Sequence, residues 1–371
     1  MRVLVVTPWF PTAAAPGSGI FNLRDAELLA SQHELRVLHL CTPSLLGVGE
    51  EEERTAGMTV RRVPYRAGSV RGTLAAARAI KEELRGAELL HSMALPALIP
   101  LRLVRVRQPF VHTEHMSMLV TPGGNFVGRA AKHLLTRLLS RPTEAVAVSS
   151  ALARVIDRVR SRPTTVIPNH VMMPEASVPD EEGQRFAEVR MISVGGMVAR
   201  KGALEAVGVL GELVDRGFEA RLTWVGTGPL RDEMVALAEK LGVRDRLTLP
   251  GHQTPDELSQ QLQAANLFVL PVETETFGVA MAEALAHGLP VVATGTGGHE
   301  EFLPPEASRL VSERAAAPLA AAAVELMRDP KLWSRAEISG YADARFSEAL
   351  RATAYEEVYR RAVERASSKK P

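Results

Sequence analysis

Apolar runs of four to six residues recur along the chain, each closed by Gly, Pro or a polar residue, and longer stretches with helical spacing lie between them. In the first half the runs predict strands at Arg2–Thr7, Leu35–Leu40, Thr59–Pro64, Glu88–His91, Pro109–His115, Ala145–Ser149 and Thr164–Pro168. Helices are expected at Ile20–Ser31, Gly72–Leu84 and Gly128–Arg141, and the acidic Glu50–Glu53 reads as a solvated turn. Met173–Gly183 has prolines, acids and no period, which suits a linker, so a domain boundary is expected between about 170 and 185. The layout then repeats, with strands at Met191–Val194, Leu222–Val225, Leu247–Pro250, Leu267–Leu270 and Val291–Ala293. Helices run from Pro229 (at the favoured first position) to Leu241, over Pro255–Ala264, from Gly278 to the Gly288 stop, and over Ala315–Met327, Pro330–Ser339 and Ser347–Ala366. Strands alternating with helices argue for parallel sheets covered by helices on both faces.

Composition narrows the class. At 371 residues the chain can hold two separate cores, and its 46% hydrophobic and 23% charged content is that of an ordinary globular protein. A net charge of +1 gives no global argument for nucleic acid, and a single cysteine, Cys41, allows no disulfide framework or thiolate zinc site within one chain. Met1-Arg2 leads directly into a core strand, and no run approaches the ~20 apolar residues of a membrane span, so the cytoplasm is expected. One feature leaves a peripheral contact with the inner membrane face open. Arg129, His133, Arg137 and Arg141 share a face of the helix 128–141, with Arg102, Arg105 and Arg107 nearby. A solvated face over a leucine core is the plainer reading of that helix.

The candidate chemistry is concentrated in residues 271–292. The buried strand Leu267–Leu270 stops at Pro271, and Gly278 opens a helix of good formers. The first turn of a helix leaves N–H groups free and a partial positive charge, a ready anion site that a glycine lets a ligand approach. Glu275 stands just before this end, and Glu283 lies one turn beyond Val279. Carboxylates beside a phosphate site repel phosphate, so hydroxyls are their targets. A phosphate-binding helix end flanked by two hydroxyl-binding carboxylates suits a nucleotide-sugar.

Glu275-(seven residues)-Glu283, with Phe277-Gly278 inside it and Gly297-Gly298-x-x-Glu301 after it, resembles the retaining glycosyltransferases of family 4, of GT-B fold. The resemblance implies two Rossmann-like domains facing across a cleft: 1–172 for the acceptor, 173–346 for the nucleotide-sugar, and 347–371 returning as a helix to the first. It implies that Glu275 contacts the donor sugar and Glu283 the ribose, with Phe277, Gly278 and Val279 lining the donor. Lys201 of Lys201-Gly202 falls on the family's lysine, which contacts the diphosphate. Gly196 falls where the family carries an arginine, the clearest departure, and Arg200 is the candidate to compensate. Gly19, in the Gly17-x-Gly19 loop after the first strand, is the candidate for close approach to the donor; without a third glycine the loop is not a dinucleotide fingerprint. His115, ending Thr113-x-His115, resembles the strand-end histidine that contacts donor sugar or acceptor. His91 fits a site and a core histidine equally, and His112 fits the core better. Ile167-Pro168-Asn169-His170-Val171 resembles the hinge signal, with His170 in place of Gly.

The implied reaction is transfer of a sugar from a nucleotide-diphosphate sugar, with a UDP-sugar expected, to an acceptor hydroxyl with the anomeric configuration kept. The acceptor is a small molecule, a glycan or a lipid-linked species. No cofactor and no metal are expected, since Lys201 and the helix end can neutralise the diphosphate. Glu275, His115 and Lys201 are the catalytic candidates. A non-catalytic sugar-nucleotide binder, which would bind without turnover, and a GT-B nucleotide-sugar epimerase remain as alternatives.

Overall fold

The computed structural model describes residues 1–15, 17–47, 52–120, 133–175 and 186–368. Their contacts divide the chain into two compact units, Met1–His170 with Glu348–Pro371, and Val171–Ser347.

Unit 1 is an eight-stranded sheet of β1 (Arg2–Thr7), β2 (Glu34–Cys41), β3 (Glu52–Thr55), β4 (Met58–Pro64), β5 (Leu89–Met93), β6 (Phe110–Glu114), β7 (Glu144–Ala147) and β8 (Thr165–Val166). The order is β3-β4-β2-β1-β5-β6-β7-β8, parallel except for the β3–β4 hairpin. β1 is a continuous apolar run, and β5 and β6 are buried along their whole length, because both faces of a central parallel strand are covered. The chain returns from unit 2 as the helix Glu348–Ser367. It buries Arg351, Tyr355, Val358, Tyr359 and Ala362, a stripe of helical spacing, against β1, β6 and the helix Ile20–Ala30.

Unit 2 is a six-stranded, fully parallel sheet of β9 (Val189–Val194), β10 (Ala220–Val225), β11 (Leu247–Gly251), β12 (Leu267–Leu270), β13 (Val291–Thr294) and β14 (Ser308–Val311). Its order is β11-β10-β9-β12-β13-β14. Strand order reverses at β1/β5 in unit 1 and at β9/β12 in unit 2. Loops leave these pairs in opposite directions and open a crevice at the carboxyl ends, where doubly wound sheets bind ligands. Both domains are the doubly wound α/β architecture of the GT-B fold.

Four expectations are corrected. Glu52–Thr55 is a strand rather than a turn. It is an edge strand held by charge, with Glu53 on Arg62 at 2.8 Å and Glu52 on Arg36 at 3.2 Å, so it carries no apolar signal. The helix expected at Pro330–Ser339 spans Arg335–Phe346, because Ser334 and Glu337 form a reciprocal cap that sets its start. Pro229 lies in the turn before the helix Arg231–Lys240 instead of opening it. The helix expected at 128–141 falls partly outside the described residues; its described end tightens into a 3-10 turn at Arg137–Ser140.

Candidate functional site

In unit 2 the loops after β9 and β12 converge through one contact. Gly202 adopts φ +75°, and a Cβ there would lie 2.1 Å from the Pro271 carbonyl oxygen. Only glycine permits that approach. The Glu273 N–H also donates to the Arg200 carbonyl at 2.8 Å. The result places Lys201 over Glu275, and Nζ donates to Oε1 in a partly buried ion pair. The methylenes of Lys201 lie along Gly195.

The Glu275 loop is pinned from its other side. Gly298 N–H donates to the Glu275 carbonyl at 2.9 Å, and Thr296 Oγ1 donates to the Val272 carbonyl at 3.2 Å. Phe277 packs into an aromatic cluster with Phe302 and Phe346, at centroid distances of 4.9 and 5.7 Å. Its side chain therefore anchors the loop and leaves only backbone for a ligand. Gly278, at φ +96°, starts the helix Val279–Ala286 with no side-chain cap; a Cβ there would lie 2.9 Å from His299 Cβ. An uncapped first turn keeps its N–H groups and positive end for an anion. Val279 is half-buried and the Glu283 side chain is buried one turn on. Arg200 is exposed. Gly196 is exposed too, with Thr227 O 3.6 Å from where a Cβ would stand, so a side chain fits there.

His299, within the Gly297-Gly298-x-x-Glu301 pattern, was not singled out by sequence reasoning. Its Nε2–H donates to the Thr294 carbonyl at 2.6 Å, so Nδ1 is the bare nitrogen, buried and without a partner among the described residues. Burial holds its pKa below the ordinary value, against the opposing pull of the Thr294 bond and Glu275. The signal was a titratable residue inside a glycine loop, hidden because glycines alone carry that pattern.

In unit 1 the loop after β1 is clamped by buried Asn22, whose Nδ2 donates to Thr7 Oγ1 at 2.9 Å and to the Trp9 carbonyl at 2.8 Å. Gly19, at φ +70°, makes its close approach to the protein's own backbone; a Cβ would lie 2.4 Å from Trp9. His91 is a core histidine with both nitrogens engaged, Nδ1 with Tyr359 Oη at 2.8 Å and Nε2 with Thr113 Oγ1 at 2.7 Å. Burial pushes its pKa down to about 3. His112 is likewise buried between Ser92 Oγ (2.8 Å) and Glu114 Oε2 (3.3 Å). His115 differs. Its Nδ1 meets Asn169 Oδ1 at 3.0 Å, Phe21 lies over its ring at 4.6 Å, and Nε2 has no hydrogen-bond partner among the described residues. Among those residues no group of three His, Cys, Asp or Glu converges as metal ligands would.

Of the expected residues, unit 2 thus brings Lys201, Glu275, Gly278 and Val279 to one helix end with Glu283 behind them, while Gly19 and His115 lie in unit 1. Two family descriptions match: "Glycosyl transferases group 1" over residues 188–329 and "Glycosyltransferase Family 4" over 17–172. The 2-deoxystreptamine glucosyltransferase of Streptomyces kanamyceticus is 29% identical over 195 residues, 48% of this chain and 47% of that protein. A GDP-mannose-dependent phosphatidylinositol monomannoside mannosyltransferase of Mycobacterium tuberculosis is 32% identical over 147 residues, 38% of each. The chain spans less than half the length of these curated relatives. Anabaena HepE, solved with UDP and glucose, superposes with a TM-score of 0.73 at 18% identity, covering 96% of this chain and 98% of that one, a likeness of fold.

Proposed function

We propose that this chain, which belongs to the group 1, family 4 glycosyltransferases, moves a sugar from a nucleotide-diphosphate sugar to an acceptor hydroxyl with retention. The observation that carries the reading is the Lys201–Glu275 pair beside the uncapped helix end at Gly278. In the proposed complex the diphosphate takes the free N–H groups of that end and shares Lys201. Charge developing on the leaving group is met by groups already in place, the arrangement that lowers barriers most. Glu283 accepts from the ribose hydroxyls and Glu275 from a hydroxyl of the sugar. The departing diphosphate takes the proton of the attacking hydroxyl on the same face. Glu275 is then a positioning group and not a nucleophile. Unit 1 supplies the acceptor side, with His115 as its substrate-facing histidine.

A UDP-sugar is the proposed donor, consistent with HepE holding UDP, although the mycobacterial relative uses GDP-mannose. Calorimetric titration with UDP, GDP, ADP and dTDP, without metal and then with magnesium, decides it. Selective micromolar binding of one diphosphate, roughly −8 kcal/mol, supports the reading and names the nucleotide. Glu283→Ala should weaken that binding about tenfold or more, while Glu275→Ala spares it and removes turnover. Equal loss from both refutes the assigned roles.

A non-catalytic binder is the second reading, favoured by one observation: Gly196 offers no guanidinium to the diphosphate. It predicts tight nucleotide binding and no release of sugar from any donor. For the acceptor, exposed Leu103 and Leu134 stand among exposed Arg102, Arg105, Arg137 and Arg141, and no described helix is long and apolar enough to cross a membrane. An anionic lipid surface is the proposed contact. Flotation with phosphatidylglycerol vesicles, lost in Arg102→Glu/Arg141→Glu, tests it.

A further inference from the structure

The buried network behind His115 gives the Asn of the Ile-Pro-Asn-His-Val segment a chemical task. A carbonyl oxygen only accepts, so the contact of Asn169 Oδ1 with His115 Nδ1 at 3.0 Å requires Nδ1 to carry the ring's proton. Nε2 is then bare. It lies 3.7 Å from Asp25 Oδ2, too far for a hydrogen bond, and has no partner among the described residues. Asp25 and Asn169 are both acceptors, so they compete for the single proton of a neutral ring.

Asp25 is held back from that competition. Arg351 donates to its Oδ1 and Tyr355 Oη–H donates to its Oδ2 at 2.8 Å, both from the helix Glu348–Ser367. Arg351 is itself fixed by donating to the Pro168 carbonyl at 3.0 Å, one residue before Asn169. Also near the ring are Phe21, the histidines His112 of β6 and His91 of β5, and Glu114 of β6, whose Oε1 accepts from the backbone N–H groups of His115 and Met116 at 2.9 and 2.8 Å. Glu114 Oε2 faces His112. Two carboxylates, Asp25 and Glu114, therefore favour an imidazolium. Burial opposes them, and so does the neighbouring ring of His112.

We propose that Asn169 positions His115 as the neutral Nδ1–H tautomer, a hydrogen-bond acceptor and not a cation, while Arg351 and Tyr355 keep Asp25 from drawing the proton to Nε2. This rests on the reading of His115 as substrate-facing. The purpose follows from the chemistry of glycosyl transfer, in which the sugar carbon gains positive charge as the leaving group departs. An imidazolium beside it would oppose that charge; a neutral acceptor does not. Burial, the largest influence on the ring, holds its pKa below the ordinary value and acts in the same direction.

The test is long-range proton–nitrogen correlation NMR on the full chain labelled with nitrogen-15 histidine, following His115 between about pH 6 and 8. A bare ring nitrogen resonates far downfield of an N–H nitrogen, so the tautomer is read directly. The wild type should show a bare Nε2 and a protonated Nδ1 throughout. In Asn169→Leu the proton loses its acceptor and should transfer to Nε2, facing Asp25, exchanging the two resonances. Asp25→Asn should keep the wild-type pattern and lower the pH at which the ring protonates, since a carboxylate has been removed. An imidazolium at pH 7, a wild-type Nε2–H tautomer, or an Asn169→Leu spectrum like the wild type each overturns the proposal. Diphosphate titration of the same samples separates it from the reading it rests on. Loss of nucleotide binding in the wild type would sink the transferase and leave the tautomer result standing. With a donor in hand, Asn169→Leu should lower kcat with the donor KM unchanged, a split that a general loss of fold would not produce.

Discussion

Both units begin a helix with a left-handed glycine after a central strand, and they use it in opposite ways. At Gly19 the freedom brings the helix against the chain's own Trp9 backbone, and Asn22 Nδ2 clamps that turn to Thr7 and Trp9. Neither helix start has a side-chain cap, but beside Gly278 stand two charged groups, Lys201 and Glu275, which among the described residues pair with each other and stay partly exposed. Side chains bonded to backbone inside the protein specify a shape; a charged pair that keeps some exposure can exchange its partner for a ligand. The difference separates a scaffold turn from a candidate binding site more clearly than the glycine patterns do.

The largest effect should come from attacking the scaffold. Arg351→Met leaves Asp25 as an unpaired buried carboxylate, and removing one partner of such a pair costs about 3–5 kcal/mol. Calorimetry should show unit 1 melting earlier and unit 2 unmoved; a common shift of both would erase the distinction between the units. Next is the site. Glu275→Ala should reduce turnover about 10²–10³-fold while lowering Tm much less than Arg351→Met, because the Lys201–Glu275 side chains keep 16% and 15% exposure against 1% and 2% for Arg351–Asp25. A large drop in Tm would make Glu275 a structural residue like Asp25. Smaller still, Gly196→Arg fills an exposed position with room for a side chain and should raise turnover by up to about 10²-fold. No gain would mean that Lys201 and the helix end already supply the charge.

The mildest test uses pH. His91 has its pKa pushed down to about 3, and His39 and His170 to about 4, all chiefly by burial and all in unit 1. In the unfolded chain these rings titrate near 6.5. The unfolded state therefore binds more protons below that pH, and stability falls as pH drops from about 6.5 toward the folded values. In unit 2, His287 and His299 are lowered by burial, with backbone hydrogen bonds to Glu283 and Thr294 pulling the other way. Hydrogen exchange at about pH 5 should show unit 1 opening first; simultaneous opening would count against it.

Much of this was legible in sequence for physical reasons that can be named. Continuous apolar runs such as Val3–Val6 and Leu267–Leu270 announce strands buried on both faces, and Gly278 with Gly288 marks both ends of the helix between them. Lys201 and Glu275 could be chosen individually. Their pairing could not, because it depends on Gly202 meeting Pro271 across 69 residues of chain. His91 was ambiguous because its partners, Tyr359 and Thr113, arrive from distant elements. β3 escaped notice because cross-strand ion pairs, with no apolar alternation, hold it. Asn169 looked like punctuation at a boundary, since nothing local ties it to a histidine 54 positions earlier.

The helix Glu348–Ser367 also bears on biosynthesis. Tyr355, Val358 and Tyr359 are part of the core of unit 1, yet they are translated only after the whole of unit 2. Unit 1 therefore cannot complete its core before the residues after Ser347 are made, and unit 2, contiguous from Val171 to Ser347, can complete its fold while unit 1 waits with part of its core uncovered. Translation arrested before residue 348 should yield a nascent chain protected from protease over unit 2 and cleaved within unit 1.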